Sequence, residues 1–185
     1  MIGKIIRSIA TLAISRIGSG STPTVSPLLS SFRQESIRYN KAAMGVLAGW
    51  AVPNIVASSV LIGKTEHETK AFHQMNAGWN LVNLAIASIA YIKIDKDAQK
   101  RYSLSQTVAE QQRYEKLYLL NTGLDTGYIA GGLYMRERGK RTNDEKLKGL
   151  GKSIIVQGAF LLLFDATMYL IQNRHSKKNL YPFIK

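Results

Sequence analysis

Charge is missing from four long stretches of this chain, and that pattern limits what it can fold into. No Asp, Glu, Lys or Arg occurs in the 22 residues between Lys41 and Lys64, nor in the 22 between Lys70 and Lys93. Leu117 to Met135 and Ser153 to Asn173 are runs of 19 and 21 residues, each interrupted by one carboxylate, Asp125 and Asp165. Apolar stretches of roughly 17–25 residues match the hydrocarbon thickness of a bilayer. Mean hydropathy over all 185 residues is only −0.08, but that average hides runs covering nearly half the chain. The pattern excludes a β-sandwich, a Rossmann domain or a disordered tail as the main body. The absence of cysteine excludes disulfides, thiolate metal sites and a cysteine nucleophile. The expected fold is all-α: a four-helix transmembrane bundle with spans at about 42–62, 71–92, 114–135 and 150–172.

Twenty-five Lys and Arg against twelve Asp and Glu give a net charge of +13. In a soluble domain this balance would suggest nucleic acid. Here the basic residues flank the apolar runs, where a bilayer with anionic headgroups supplies their counterions, so nucleic acid is not an expected partner. With the N-terminus inside, 16 of the 25 basic residues fall on the inner side, which favours both termini in. The basic third loop, Arg136 to Lys152, runs against that bias.

Residues 1–34 read as an amphipathic helix plus a flexible linker, ahead of a membrane domain at 35–185. Ile2, Ile5, Ile6, Ile9, Leu12 and Ala13 share one helical face, with Lys4, Arg7, Thr11 and Ser15 opposite. The same acid-free, Ser-rich segment also fits an organellar presequence or a signal peptide, although Arg16 falls where a cleavage site should be. Within span one, Pro53 removes a helical N–H and predicts a kink near Gly49. Ser105 to Lys116 is expected to extend span three into water.

The polar residues inside the runs carry the functional information. In span two, Thr69, His73, Asn76, Asn80, Asn83, Ala87 and Ala90 follow a 4,3 spacing that puts them on one helical seam. Tyr114, Tyr118, Asn121, Asp125, Tyr128 and Gly132 do the same in span three, and Gln157, Leu161, Asp165, Met168 and Gln172 in span four. Span one offers Trp50, Asn54 and Ser58. Such a stripe avoids lipid by facing the bundle interior or a water-filled cavity. At 1.5 Å per residue, Asn54, Asn83, Asp125 and Asp165 fall at about one level, with His73 and Asn76 nearer one surface. An ionised Asp at a span centre costs about 2.5–3.5 kcal/mol even on the lenient insertion scale, and no Lys or Arg lies at that depth. The two carboxyls are therefore expected to be protonated, hydrated, sharing a proton, or holding a cation or cationic ligand. The ligand- or proton-binding candidates are Asn54, His73, Asn76, Asn80, Asn83, Asn121, Asp125 and Asp165; the bland alternative is that they only hydrogen-bond helices together.

Gly123, Gly127 and Gly131 recur every four residues and predict a flat groove filled by the neighbouring span, ahead of an oligomer contact. Trp50, Trp79, Tyr91, Tyr102 and Tyr134 suit interfacial belts. A faint repeat, Gly45-x-x-Ala48-Gly49 and Gly127-x-x-Ala130-Gly131, is too short to establish a duplication. Asp125-Thr126-Gly127 matches the aspartic-protease tripeptide but lies mid-helix rather than in a β-rich loop. Three scattered histidines predict neither a metal site nor haem, and no phosphate loop or nucleophile elbow is present, so no cofactor is expected.

The segment Phe72-His73-Gln74-Met75-Asn76-Ala77-Gly78-Trp79-Asn80-Leu81-Val82-Asn83, with Trp50 and Asn54 upstream, resembles the signature of a family of small uncharacterised bacterial membrane proteins with four spans. The resemblance implies a multi-pass protein of a bacterial inner membrane, with an organellar inner membrane as the alternative, and it implies no activity. Three classes of function stay open. One is a channel, carrier or sensor that takes a small polar ligand, proton or cation at the Asn/Asp/His cluster. The second is an accessory or assembly subunit, as a homo-oligomer or within a larger membrane complex. The third, an intramembrane enzyme, is the least expected.

Overall fold

The computed structural model describes residues 27–184, and within them every element is helical. Helix α1 spans Pro27–Ile62, α2 His67–Ala98, α3 Leu104–Arg141 and α4 Glu145–Asn179, followed by a 3-10 turn, Tyr181–Phe183. The proposed amphipathic segment Ile2–Ala13 lies outside the described residues. The last part of the expected linker, residues 27–34, is helical and belongs to α1.

Local chemistry sets the helix limits. Ser103 Oγ accepts the Gln106 N–H at 3.3 Å while Gln106 Oε1 accepts the Ser103 N–H at 2.9 Å, a reciprocal cap at the start of α3. Asp144 Oδ1 accepts the Leu147 N–H at 2.9 Å and opens α4. Asn143, one residue before, takes φ 52°, a left-handed conformation that asparagine tolerates and that reverses the chain within the α3–α4 turn. Pro53 sits inside α1 without ending it. It offers no N–H to the Gly49 carbonyl, and one residue on, Asn54 Nδ2 donates to the Trp50 carbonyl at 2.8 Å.

Short connections make successive helices antiparallel. The α3–α4 and α1–α2 hairpins pack most extensively, and α2 joins them by lying against α4. The buried positions repeat every seven residues: Gln111, Tyr118, Asp125, Gly132 and Gly139 in α3, and Gly151, Gly158, Asp165 and Gln172 in α4. A sustained seven-residue period keeps one seam against the partner over many turns. Glycines bring α3 and α4 together. A Cβ at Gly132 would meet the Gly151 carbonyl oxygen at 2.9 Å, and one at Gly139 would meet the Asp144 carbonyl oxygen at 2.8 Å.

The expected glycine groove is a correction. Gly123, Gly127 and Gly131 are exposed, and a Cβ on any of them would meet nothing within 4 Å. The close approach instead uses Gly132, on the next face of the helix, because that face shares the seam with Asp125. The extension of α3 is also not simply water-exposed, since Thr107 and Gln111 are buried against the other helices.

Burial is inverted relative to a water-soluble domain. Asn80 and Gln157 are 0% exposed, whereas Leu163 is 71% and Ile89 68% exposed. Leucines and valines pointing outward around a polar interior suit a hydrocarbon solvent. Helices α1, α2 and α4 are long and apolar enough to cross a membrane. Helix α3 is as long but more polar, because Asn121, Thr122, Asp125 and Thr126 and five glycines dilute its leucines.

Candidate functional site

The polar seams of the four helices meet along the bundle axis and form three levels. The first lies toward the end where α1 stops and α2 starts. Asn76 is its hub: its Nδ2 donates to Asn54 Oδ1 at 3.0 Å and to Ser58 Oγ at 2.8 Å, and its Oδ1 accepts from Gln157 Nε2. Gln157 Oε1 in turn accepts the Trp50 indole N–H at 3.1 Å, and Trp50 stacks on Phe160 with centroids 4.2 Å apart. Asn80 Nδ2 donates to the Asn76 carbonyl at 2.8 Å. His73 joins at the edge, its Nδ1 3.4 Å from Ser58 Oγ.

The middle level holds the two carboxylates. Asp125 and Asp165 are buried, and their carboxyls lie within hydrogen-bonding reach of each other across the α3–α4 contact. Asn121, one turn before Asp125, donates to Asp165 Oδ1 at 3.4 Å. Among the described residues Asp125 Oδ2 finds no donor, and buried Asn83 Nδ2 finds no acceptor. A proton on either Asp would supply the donor that two facing carboxylates lack.

The third level was not among the sequence candidates. Tyr118 OH donates to Asn40 Oδ1 at 3.0 Å, and Ser36 Oγ donates to Gln111 Oε1 at 3.1 Å. Gln111 Nε2 reaches Gln172 Oε1 and Glu115 Oε1, both at 3.1 Å. Glu115 also accepts from Ser176 Oγ and, at 3.3 Å, from Tyr181 OH, which ties the end of the chain to α3. Ser36, Asn40, Gln111 and Glu115 lie outside the charge-poor runs, so hydropathy gives no sign of them. The seven-residue spacing back from Asp125 through Tyr118 to Gln111 does.

Thus Asn54 pairs with Asn76, one level from Asp125 and Asp165, although helical rise alone would put it beside them. Trp50 belongs to the interior rather than to an interfacial belt, and Trp79 contacts Tyr128 edge-on at 5.0 Å. Tyr91 and Tyr134 are exposed. No three His, Asp or Glu side chains among the described residues converge on a point where a metal ion could sit. Two cavities, of about 430 and 470 Å3, lie at opposite ends of the bundle, and the Asp pair lines neither.

Together these features define an all-helical bundle with a polar interior and three helices able to cross a membrane. The chain belongs to a protein family of unknown function, DUF6992, which matches residues 46–166 and so takes in the first two polar levels. No curated protein and no solved structure matches the chain.

Proposed function

We propose that this protein is an integral membrane protein that holds a proton between Asp125 and Asp165, as the working centre of a proton-responsive channel, carrier or sensor. All four helices cross the bilayer in this reading, α3 included, because it packs along α4 and turns Leu119, Leu120, Leu124 and Leu133 outward. A bacterial inner membrane is the assigned location, with an organellar inner membrane as the alternative.

The observation that carries the reading is the facing pair of buried carboxyls with no Lys or Arg at their depth. Two carboxylates cannot both stay ionised there without a compensating charge, and a proton is the smallest one. Burial argues against a larger occupant, since Asp125 is 2% and Asp165 4% exposed. The same fact weighs against hydrolysis by paired aspartates, which need an opening through which a substrate enters. An accessory-subunit role is the second reading, favoured by the exposed Gly45, Gly49, Gly123, Gly127 and Gly131. Against it, the polar stripe is sheltered within one chain and needs no partner to cover it.

The test is proton uptake by the purified, detergent-solubilised protein after a downward pH jump in weak buffer. The reading requires the Asp125→Asn/Asp165→Asn double variant to take up about one proton fewer than the wild type. Equal uptake by a folded double variant removes the reading and puts the accessory-subunit role first.

A further inference from the structure

The cavity of about 430 Å3 lies far from the Asp pair, where α1 begins and α2 ends, and the charged residues lining it are all cations: Arg33, Lys100 and Arg101. Arg33 is buried, at 9% exposure. Burying a guanidinium is costly unless its donors are satisfied, and here Nε, Nη1 and Nη2 each engage one acceptor, leaving a second N–H on each Nη without an acceptor among the described residues. Nη1 donates to the Lys100 carbonyl at 2.6 Å, Nη2 donates to the Asp97 carbonyl, and the group stacks over the Tyr102 ring at 3.9 Å. The carbonyls orient the charge without neutralising it. Glu110 is the one carboxylate that touches Arg33, at 3.5 Å, and Asp97 is engaged by Lys100 at 2.6 Å. Arg101 has no ion pair among the described residues, and α1 has no acidic residue in its first turn. The cavity is therefore bounded by a fixed buried cation and an exposed one with no ion pair among the described residues, and Gln34 also lines it.

We propose that this cavity binds a phosphate group, with Arg33 as its fixed floor and Arg101 closing on it from solvent. Arginine suits this role because its fork presents several donors to a tetrahedral oxyanion. The site is independent of the Asp125–Asp165 reading. Two sources can present the phosphate. Lys100 lies about 12 Å beyond Ile92, the end of the charge-free run of α2. That is just past a headgroup layer of roughly 5–8 Å per leaflet. A soluble phosphate reaches the cavity directly, whereas an anionic phospholipid must lower its headgroup into it. Leu29 and Ile37 on the wall offer such a lipid an apolar approach.

The experiment titrates the full-length protein in neutral detergent with short-chain phosphatidylglycerol and, separately, with inorganic phosphate. Three variants are compared with wild type. Arg101→Ala removes the exposed cation, Gln34→Trp fills the cavity at an exposed position without changing charge, and Arg138→Ala/Arg141→Ala removes two charges at the opposite end. Arg101→Ala and Gln34→Trp should each weaken binding about tenfold, the worth of one charge-assisted contact, and the distal variant should bind as wild type. Binding of phosphatidylglycerol without competition from inorganic phosphate identifies a headgroup site, and competition identifies a site open to soluble phosphate. The proposal is overturned if neither probe binds, if Gln34→Trp binds like wild type, or if the distal variant loses as much as Arg101→Ala, the behaviour of diffuse surface charge. Should Gln34→Trp not fold, Arg101→Ala against the distal variant decides alone.

Discussion

Asp125 on α3 and Asp165 on α4 face each other in the interior of the bundle, with Asn121 donating to Asp165 Oδ1 and, among the described residues, no partner at Asp125 Oδ2. Each carboxylate is expensive to bury by itself. Bringing two together makes sense when a proton is shared, because the protonated carboxyl donates to the ionised one and the pair then carries a single charge. The glycines at 132, 151 and 158 serve that arrangement by letting α3 and α4 approach closely at the level of the pair and beside it.

Glycine substitutions should separate the interior seam from the outer face. Gly132→Ala forces a Cβ against the Gly151 carbonyl and Ile155, and overpacking of this kind costs about 1–3 kcal/mol. Gly127→Ala meets open space and should be neutral or stabilise by roughly 0.5–1 kcal/mol through reduced chain entropy. Thermal unfolding in detergent measures both, and a Gly127→Ala loss as large as that of Gly132→Ala would contradict the packing.

Asn76 and Asn83 occupy the same seam of α2 but are bonded differently. Asn76→Leu strands Asn54, Ser58 and Gln157, whereas Asn83 Nδ2 has no acceptor among the described residues to lose. Interhelical polar contacts in membranes are worth about 0.6 kcal/mol on average and up to about 1.7. Asn76→Leu should therefore destabilise by more than one such contact and by more than Asn83→Leu, as read by the same unfolding assay.

Glu110 predicts a pH dependence outside the membrane segment. Burial pushes its carboxyl above the usual range, and Arg33 offsets this only in part. Protonation is thus favoured by folding: the stability it contributes is present in full below the unfolded value and lost as pH rises through the folded one. Glu110→Gln should flatten the fall in unfolding temperature as pH rises above about 4, the ordinary glutamate value. An unchanged slope would show that the folded carboxyl titrates normally.

Topology is open to a clean test because the chain has no cysteine. Glu68 begins α2 and Lys178 lies in the last turn of α4, at opposite ends of the bundle. Single cysteines there should label from opposite sides of a sealed vesicle, with Lys178 inside. Labelling of both from one side would rule out four crossings.

Much of the helical layout was legible from charge alone, because four long charge-poor runs separated by charged connections leave few other folds. The 4,3 spacing of Asn76, Asn80 and Asn83 marked the buried seam of α2, since a polar stripe on an apolar helix has only one cheap direction to face. Three things were not legible. The seam in α3 runs through Gly132 rather than Gly131, and a run of glycines does not reveal which of them meets a neighbour. Asn54 lies a level away from Asp125 because rise along single helices says nothing of how far antiparallel helices slide. Finally, the level built from Ser36, Asn40 and Gln111 lies where the helices outlast their apolar runs, so hydropathy ends before the bundle does.

Infrared spectroscopy of the carboxyl C=O stretch, recorded on the protein in lipid vesicles as pH is varied, tests the shared proton directly. The account predicts a protonated-carboxylic-acid band that persists at neutral pH, where surface carboxylates are ionised, that shifts in either Asp125→Asn or Asp165→Asn as the shared hydrogen bond is lost, and that disappears in the double variant. A wild-type spectrum without that band at neutral pH, or a band that survives in the double variant, would contradict it.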